Sequence, residues 1–577
     1  MKVDQMTSPS PIGTVASALA SLRGAHPALL DDVSRGDRVL WVGSGVSRNQ
    51  VPGLEPLLRK ALTFLQTNDT GAADDPHKRG LEGILGDYLP PELASYRRDP
   101  AGWSVPADLS DLVTSYSEIL SVGIAGQEQD YLLWVAIDVR ETYGSPAIEP
   151  GPEHWLISIL IHEGVVSEIV TTNWDGLIER ATKVSTGSGQ PAALGIFMSN
   201  ESFRTARGRC SLYKAHGCAV LAREDEVYRQ YLVAQTADIA IWLSNPIYDG
   251  MVERLRALAR TRKSLMLGLS VQDYNLMAQI AGASRDLPWN WDPNDPAYIF
   301  AEPAIQPSQR SVLQTVYREQ YPPNRDAIAS LSAAGMYSGL LLAALTLHVL
   351  IEKLRIGIDC APVFAGSANV IESLCKGLER VESYLAEDAG GDIDRLVVLI
   401  RRGISSLVCR FFDPGTELVD DEYMPFYGNS LKAGVDEQFR QLDLPALSVA
   451  VGLLGLGYAR NHWRLVIGTG GSLERGVIQL MSPHLPASSS PKVVITRDWR
   501  STNALMATDL WATDPGELVV IQATGDQPAA MTRGVGGGIG SGRSRRRSRR
   551  QIWLSDLEPH VGSADALLGA FRAEVSV

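Results

Sequence analysis

Four times in the first half of the chain, a short apolar run stops abruptly at glycine or at a cluster of polar residues. Asp37–Val42 (DRVLWV) meets Gly43-Ser44-Gly45-Val46-Ser47, and Ser167–Asn173 (SEIVTTN) leads into Trp174-Asp175. Cys210–Gly217 (CSLYKAHG) and Lys263–Ser270 (KSLMLGLS) end the same way, and Ala297–Ala304 (AYIFAEPA) supplies a further strand. Between them, Glu153–Gly164 (EHWLISILIHEG), Asp175–Thr182 and the residues from Val271 onward carry helical patterns. Strands alternating with helices predict an α/β fold with a mostly parallel sheet, and such sheets bind ligands beyond the carboxyl ends of their strands. The clusters at Gly43, Asn173, His216 and Gly268 all fall at such ends.

The rest of the chain reads differently. Residues 54–150 are helical pieces with polar breaks, such as Leu54–Gln66 and Asp130–Tyr143, closed by a Pro/Gly-rich break at Pro146–His154. From Asn324 to Cys409 long apolar stripes predict helices. After Gly434 the pattern is mixed, with strands at Pro491–Thr496 and Gly516–Gly525 and a helix near Thr502–Thr513. The expected organisation is a helical extension over 1–36, an α/β domain over 37–323 with its helical insertion at 54–150, a helical domain over 324–433, and a small mixed α/β region over 434–577. The most apolar run, Gly339–Ile351, falls short of the ~18 residues that span a bilayer, so a buried helix and no membrane association are expected. The N-terminus has no basic stretch followed by an unbroken apolar one, so no secretory signal is expected.

Charge and cysteine usage narrow the partners. Lys and Arg number 53 against 66 Asp and Glu, a net charge of −13, and such a field repels a nucleic-acid backbone. Within it, Arg533–Gly542 runs into Arg543–Arg550, with six arginines in eight residues. That stretch reads either as a solvated loop or as a contact for nucleic acid or an acidic partner. The five cysteines (Cys210, Cys218, Cys360, Cys375, Cys409) show no Cys-x-x-Cys spacing, which gives a zinc site no support and fits a reducing, cytoplasmic compartment.

Each polar cluster alone has a bland reading beside a functional one. The Gly43-Ser44-Gly45 turn lets backbone approach a pyrophosphate, yet the third glycine of a dinucleotide fingerprint is replaced by Arg48. There is no GKS or GKT, so a P-loop ATPase is not supported. In Thr171-Thr172-Asn173-Trp174-Asp175, the polar groups are costly to bury unpaired, or Asp175 simply caps the next helix. His216, after a strand and before glycine, is either a structural histidine or an exposed site residue. Gly268-Leu269-Ser270 with Asp273 is a turn able to hold ribose or phosphate, or a turn and a helix cap.

Together the four clusters share an order that resembles the sirtuin (silent information regulator) domain over residues 37–305. Gly43–Arg59 (GSGVSRNQVPGLEPLLR) is similar to the family's GAGxS…GxP…R loop, and Val170–Asp175 (VTTNWD) to its TTNYD or TQNID motif. Tyr213–Gly217 (YKAHG) is similar to its K-x-HG strand end, and Gly268–Ser270 with Asp273 to its late G-[TY]-S loop. The resemblance implies a Rossmann-like sheet that takes NAD+ as substrate. It implies that Gly43, Ser44, Gly45 and Ser47 cradle the pyrophosphate and that Thr172 lines the pocket. Asn173 would orient the nicotinamide ribose and the attacking water, Asp175 would recognise the carboxamide, and His216 would be the general base. Gly268 and Ser270 would hold the adenosine side, with Asp273 shaping that pocket.

Departures from the family pattern refine this expectation. Protein-deacylating sirtuins carry four zinc cysteines between the HG motif and the late loop, and here that interval holds only Cys218. Thr171–Asp175 (TTNWD), the helical insertion after the first loop and the large C-terminal extension also resemble the sirtuin-like NADases of bacterial antiphage systems. The implied function is hydrolysis of NAD+ to nicotinamide and ADP-ribose by an abortive-infection effector, without zinc. Partners implied by that branch are further copies of the chain, a HerA-type ATPase, a short Argonaute or a phage trigger protein. The alternatives are an NAD-dependent protein deacylase or ADP-ribosyltransferase, and a non-catalytic nucleotide-sensing or nucleic-acid-binding module.

Overall fold

The computed structural model describes residues 12–575 apart from 188–189, 272, 362–366, 416–417, 434–436, 472, 483–485, 487–489, 509–517 and 526–548. Six strands form the first sheet: β1 (Arg38–Val42), β2 (Glu168–Thr171), β3 (Leu194–Phe197), β4 (Cys210–Lys214), β5 (Lys263–Leu267) and β6 (Tyr298–Phe300). Their order is β3-β4-β2-β1-β5-β6 and every pairing is parallel. All five residues of β1 are buried, as a central parallel strand with both faces covered requires. The chain leaves β1 toward β2 on one side and returns to β5 on the other, so the order reverses at β1. That reversal opens the crevice where α/β sheets bind ligands.

The register sets one level for all four polar clusters. Lys214 pairs with Thr171, Thr171 with Val42, and Val42 with Leu267, which makes one row across the end of the sheet. Gly43 and Gly268 lie one residue beyond that row, and Asn173 and His216 two residues beyond it.

The insertion folds as helices, including Leu54–Thr67, Pro76–Tyr88, Tyr116–Leu120 and Val139–Gly144. Its apolar cluster also takes in Leu177, Ala219, Ala222, Leu232 and Ala234, residues that follow β2 and β4. The insertion thus docks on the edge of the sheet that carries the polar clusters. Asp130–Tyr143 is not the single helix its composition predicts. A π-helical turn at Leu132–Ala136 and a left-handed Asp138 (φ 49°) break it before Val139.

Beyond the sheet, Ser338–Asp359, Ala368–Ala389 and Leu444–Ala459 are the long helices. The apolar run Gly339–Ile351 lies buried inside the first of them, and among the described residues no helix is long and apolar enough to cross a membrane. Ala368–Ala389 and Leu444–Ala459 meet at glycines. A Cβ on Gly377 would sit 2.4 Å from the Gly452 carbonyl oxygen, so nothing larger than glycine fits there. A second sheet follows, formed by β7 (Arg464–Ile467), β8 (Ile478–Met481), β9 (Lys492–Thr496), β10 (Leu518–Gln522) and β11 (Arg549–Trp553). β9, β10 and β11 are parallel, while β7 and β8 run antiparallel. One apolar cluster runs from β1 and β2 through the three long helices to this second sheet. Arg549 and Arg550 open β11, and the rest of the arginine-rich stretch, residues 543–548, lies outside the described residues.

Candidate functional site

The loops after β1 and β5 lock together through backbone. Gly43 N–H donates to Leu267 O (2.9 Å) and Gly45 N–H to Gly268 O (3.0 Å). A Cβ on Gly43 would lie 2.5 Å from Gly268 O, and one on Gly45 would lie 2.7 Å from Gly268 Cα. Gly268 also has a φ of +57°, so glycine is required by both space and conformation. Ser44 and Ser270 are exposed on the rim, and Gly45 and Gly268 are half-buried. The two turns thus form one glycine-lined backbone surface beyond the strand ends, with the Gly43 and Gly45 N–H groups committed to the β5 side.

Asn173 joins this surface from β2. Its Nδ2 donates to Gly43 O (3.2 Å) and to Ser47 Oγ (3.3 Å), and its backbone N–H donates to Thr171 Oγ1 (3.0 Å). Both amide hydrogens are committed, which leaves Oδ1 of a half-buried side chain to accept from a hydroxyl or a water. Ser47 is anchored from behind by His154, a fully buried residue on the helix Pro152–His162. His154 Nδ1 accepts the Gly151 N–H (3.0 Å), so the neutral ring carries its proton on Nε2 and gives it to Ser47 Oγ (3.0 Å). Burial lowers the His154 pKa against the pull of nearby Asp175, which keeps the ring neutral. With two hydrogen bonds accepted, Ser47 keeps its own hydroxyl proton to donate.

His216 follows β4, with its ring edge-on to Trp242 at 6.5 Å. Its Nε2 lies 3.1 Å from Asp273 Oδ2, off hydrogen-bond alignment, and the ring is 5% exposed. Asp273 caps the helix Tyr274–Asp286, its Oδ1 accepting the Leu276 N–H (2.8 Å). The helix therefore starts at Tyr274, not at Val271, whose φ of +54° is left-handed. Tyr116 of the insertion is held near this group: burial, with Asp273 adding to it, pushes its phenol up to about 12.

Asp175 is buried. Its Oδ1 accepts the Leu177 N–H (3.2 Å), so it ties down the first turn of the helix Leu177–Ser185. Its backbone carbonyl accepts from the buried Lys214 Nζ, which also pairs with Glu179 at 2.9 Å. Burial opposes the Lys214 charge, but Cys218, Glu179 and Asp175 outweigh it and raise the pKa. Thr172 is half-buried between Thr171 and Asn173. Trp174 meets Tyr143 of the insertion edge-on at 5.4 Å, and Tyr143 O–H donates to Pro52 O (2.8 Å). Among the described residues no group of three or more His, Cys, Asp or Glu is placed to hold a metal ion.

Gly43, Gly45, Ser47, Asn173 and Gly268 thus meet directly, and His216 meets Asp273. Residues 167–319, which hold three of the four strand ends, match the family model described as SIR2-like domain. The chain carries a SIR2-like domain. Its sheet is completed by β1, whose glycine turn precedes the matched residues and pairs with β2 and β5. Among solved structures, one from work on the structural basis for the mechanism and regulation of Sir2 enzymes is similar at 14% identity. The similarity covers 57% of this chain and 97% of that one, with a TM-score of 0.26. No curated protein matches the chain. Sequence reading of the SIR2-like domain passed over His154, although a histidine opening an apolar helix just after Pro-Gly-Pro is a visible signal.

Proposed function

We propose that the chain is an NAD+ glycohydrolase that releases nicotinamide and ADP-ribose, and that it serves as the NAD-depleting effector of an antiphage system. The observation that carries the reading is the committed amide of Asn173. With both amide hydrogens used, its Oδ1 is left as an acceptor close to the Ser47 hydroxyl, at the same level of the sheet as His216. An acceptor and a donor at that position suit the ribose hydroxyls and the attacking water.

In this reaction the bond from the ribose anomeric carbon to the nicotinamide nitrogen breaks, and a bond to water oxygen forms. Nicotinamide leaves as a neutral molecule with the bonding electrons. Asn173 Oδ1 orients the water, and His216 takes its proton, with Asp273 stabilising the imidazolium that results. The Gly43–Ser47 turn and Gly268 receive the pyrophosphate, with Ser44 and Ser270 on its rim. Asp175, held at the start of the helix Leu177–Ser185, meets the carboxamide, and Thr172 lines the wall beside it.

The long helices and the second sheet are the proposed seat of regulation. An effector of this kind must be held off in uninfected cells, and these regions are the proposed seat of self-assembly, of docking to a partner ATPase or Argonaute, or of sensing a phage trigger. Arg543–Arg550 is the proposed contact for nucleic acid or an acidic partner. The test is nicotinamide release from NAD+ by purified chain, with and without an acyl-lysine peptide. Release that needs the peptide would assign the site to deacylation.

A further inference from the structure

Val271, two residues before Asp273, is held in an unfavourable conformation by two residues outside the sirtuin-like motifs. Val271 is β-branched, buried, and left-handed at φ +54°, a conformation such residues almost never adopt unaided. Something outside the loop must impose it, since strain of this kind persists only where neighbouring structure over-determines it. Two contacts from the first turn of the helix Pro307–Tyr317 do so. Gln309 Nε2 donates to Leu269 O (3.2 Å), and Ser308 Oγ donates to Ser270 O (2.5 Å). These are the two carbonyls immediately before Val271.

Gln309 is completely buried and is itself held at the other end of its amide. Its Oε1 accepts the Gln306 N–H (3.0 Å), closing the capping box of its own helix. Its amide also lies beside the Glu302 carboxyl, whose pKa burial pushes up. One rigid amide thus joins the cap of a helix after β6 to the loop after β5. Asp273 lies two residues beyond Val271, and its carboxylate must reach from that loop to His216.

Resting on the proposed NAD+ hydrolysis, we infer that Gln309, with Ser308, is a positioning residue for that reaction. It touches neither substrate nor His216. It fixes the left-handed Val271 turn and so aims Asp273 at His216.

Gln309→Met, paired with a change at Val271, separates this role from simple packing. Methionine keeps the bulk of the side chain but has no hydrogen to give Leu269 O. Gln309→Met is expected to lower kcat for nicotinamide release roughly tenfold to hundredfold, with KM for NAD+ changing less. Adding Val271→Gly to Gln309→Met lets the turn adopt positive φ without the clamp, and is expected to restore part of the lost kcat. A helix-packing defect would not be rescued that way. A second readout needs no turnover: by NMR, the His216 ring resonances in Gln309→Met are expected to move toward those in Asp273→Asn. If wild type never releases nicotinamide, the hydrolysis reading fails while the ring resonances still judge the clamp. Unchanged His216 resonances, or a kcat defect that Val271→Gly does not relieve, would overturn the inference.

Discussion

His216 Nε2 and Asp273 Oδ2 approach to 3.1 Å although they come from loops after β4 and β5, with β2 and β1 between those strands. Three strand spacings separate the two strand ends by about 14 Å. The pair therefore arches over the ends of β2 and β1, where Asn173 and Gly43 leave the sheet. Asp273→Asn keeps the helix cap, because asparagine also accepts the Leu276 N–H, and it removes the charge. Nicotinamide release is expected to fall roughly tenfold or more. The thermal midpoint should change little, which separates a catalytic loss from an unfolded one.

His154→Phe retains the bulk of the ring but leaves the Gly151 N–H without its acceptor and frees Ser47 to rotate. The orphaned buried donor is expected to cost about 1–3 kcal/mol, read from urea unfolding. KM for NAD+ is expected to rise, because Ser47 loses the partner that fixes its hydroxyl beside Asn173.

Gly43→Ala tests the cradle. The added methyl would lie 2.5 Å from Gly268 O and 2.7 Å from Leu269 Cα, both backbone atoms that cannot rotate away. Overpacking of this kind costs about 1–3 kcal/mol and must part the two loops. NAD+ binding by calorimetry is expected to be lost even where the protein still folds.

Lys353 and Glu163 form a wholly buried ion pair that ties the long helix Ser338–Asp359 to the end of the helix bearing His154. Glu163 Oε1 also accepts from Tyr423 O–H (2.8 Å) and from Phe426 N–H (2.9 Å). Lys353→Met strands the carboxylate and is expected to cost about 3–5 kcal/mol. The double change Lys353→Met with Glu163→Gln is expected to recover part of that loss in chemical denaturation, since it removes the stranded charge.

Acid should destabilise the chain before its carboxylates titrate. Burial, with Arg209 nearby, pushes His162 down to about 4 from an ordinary 6.5. Between those values the unfolded chain binds a proton that the folded chain does not. Its contribution is therefore fully present above pH about 6.5 and falls by about 3 kcal/mol as the pH drops through about 4. Burial also lowers the pKa of His26, His154 and His348, which steepens the decline. Unfolding measured from pH 7 to 4 should show this slope, and His162→Gln should flatten it.

The sheet was readable because a parallel strand buried on both faces leaves a continuous apolar run, and each run here stops where the backbone exits toward the crevice. The two-residue offset that sets Asn173 beside His216 depends on register, which one strand's pattern does not encode. The Asp130–Tyr143 break was not readable, because aspartate at φ 49° looks like any helical aspartate in sequence. Val271 shows the reverse: local preference argues against its conformation, and contacts from Gln309 and Ser308, far along the chain, decide it. His154 stands out in sequence as a histidine at the start of an apolar helix, but its partner Ser47, 107 positions away, does not.

The most direct test of the account is nicotinamide release from NAD+ by the purified chain, alone and with the product of the neighbouring gene, and without any acyl-lysine acceptor. Wild type is expected to release nicotinamide and ADP-ribose in at least one of these conditions, and folded Asn173→Ala and His216→Ala proteins to release neither. NAD+ left intact in both conditions by a chain that still protects cells from phage, or release undiminished in Asn173→Ala, would contradict it.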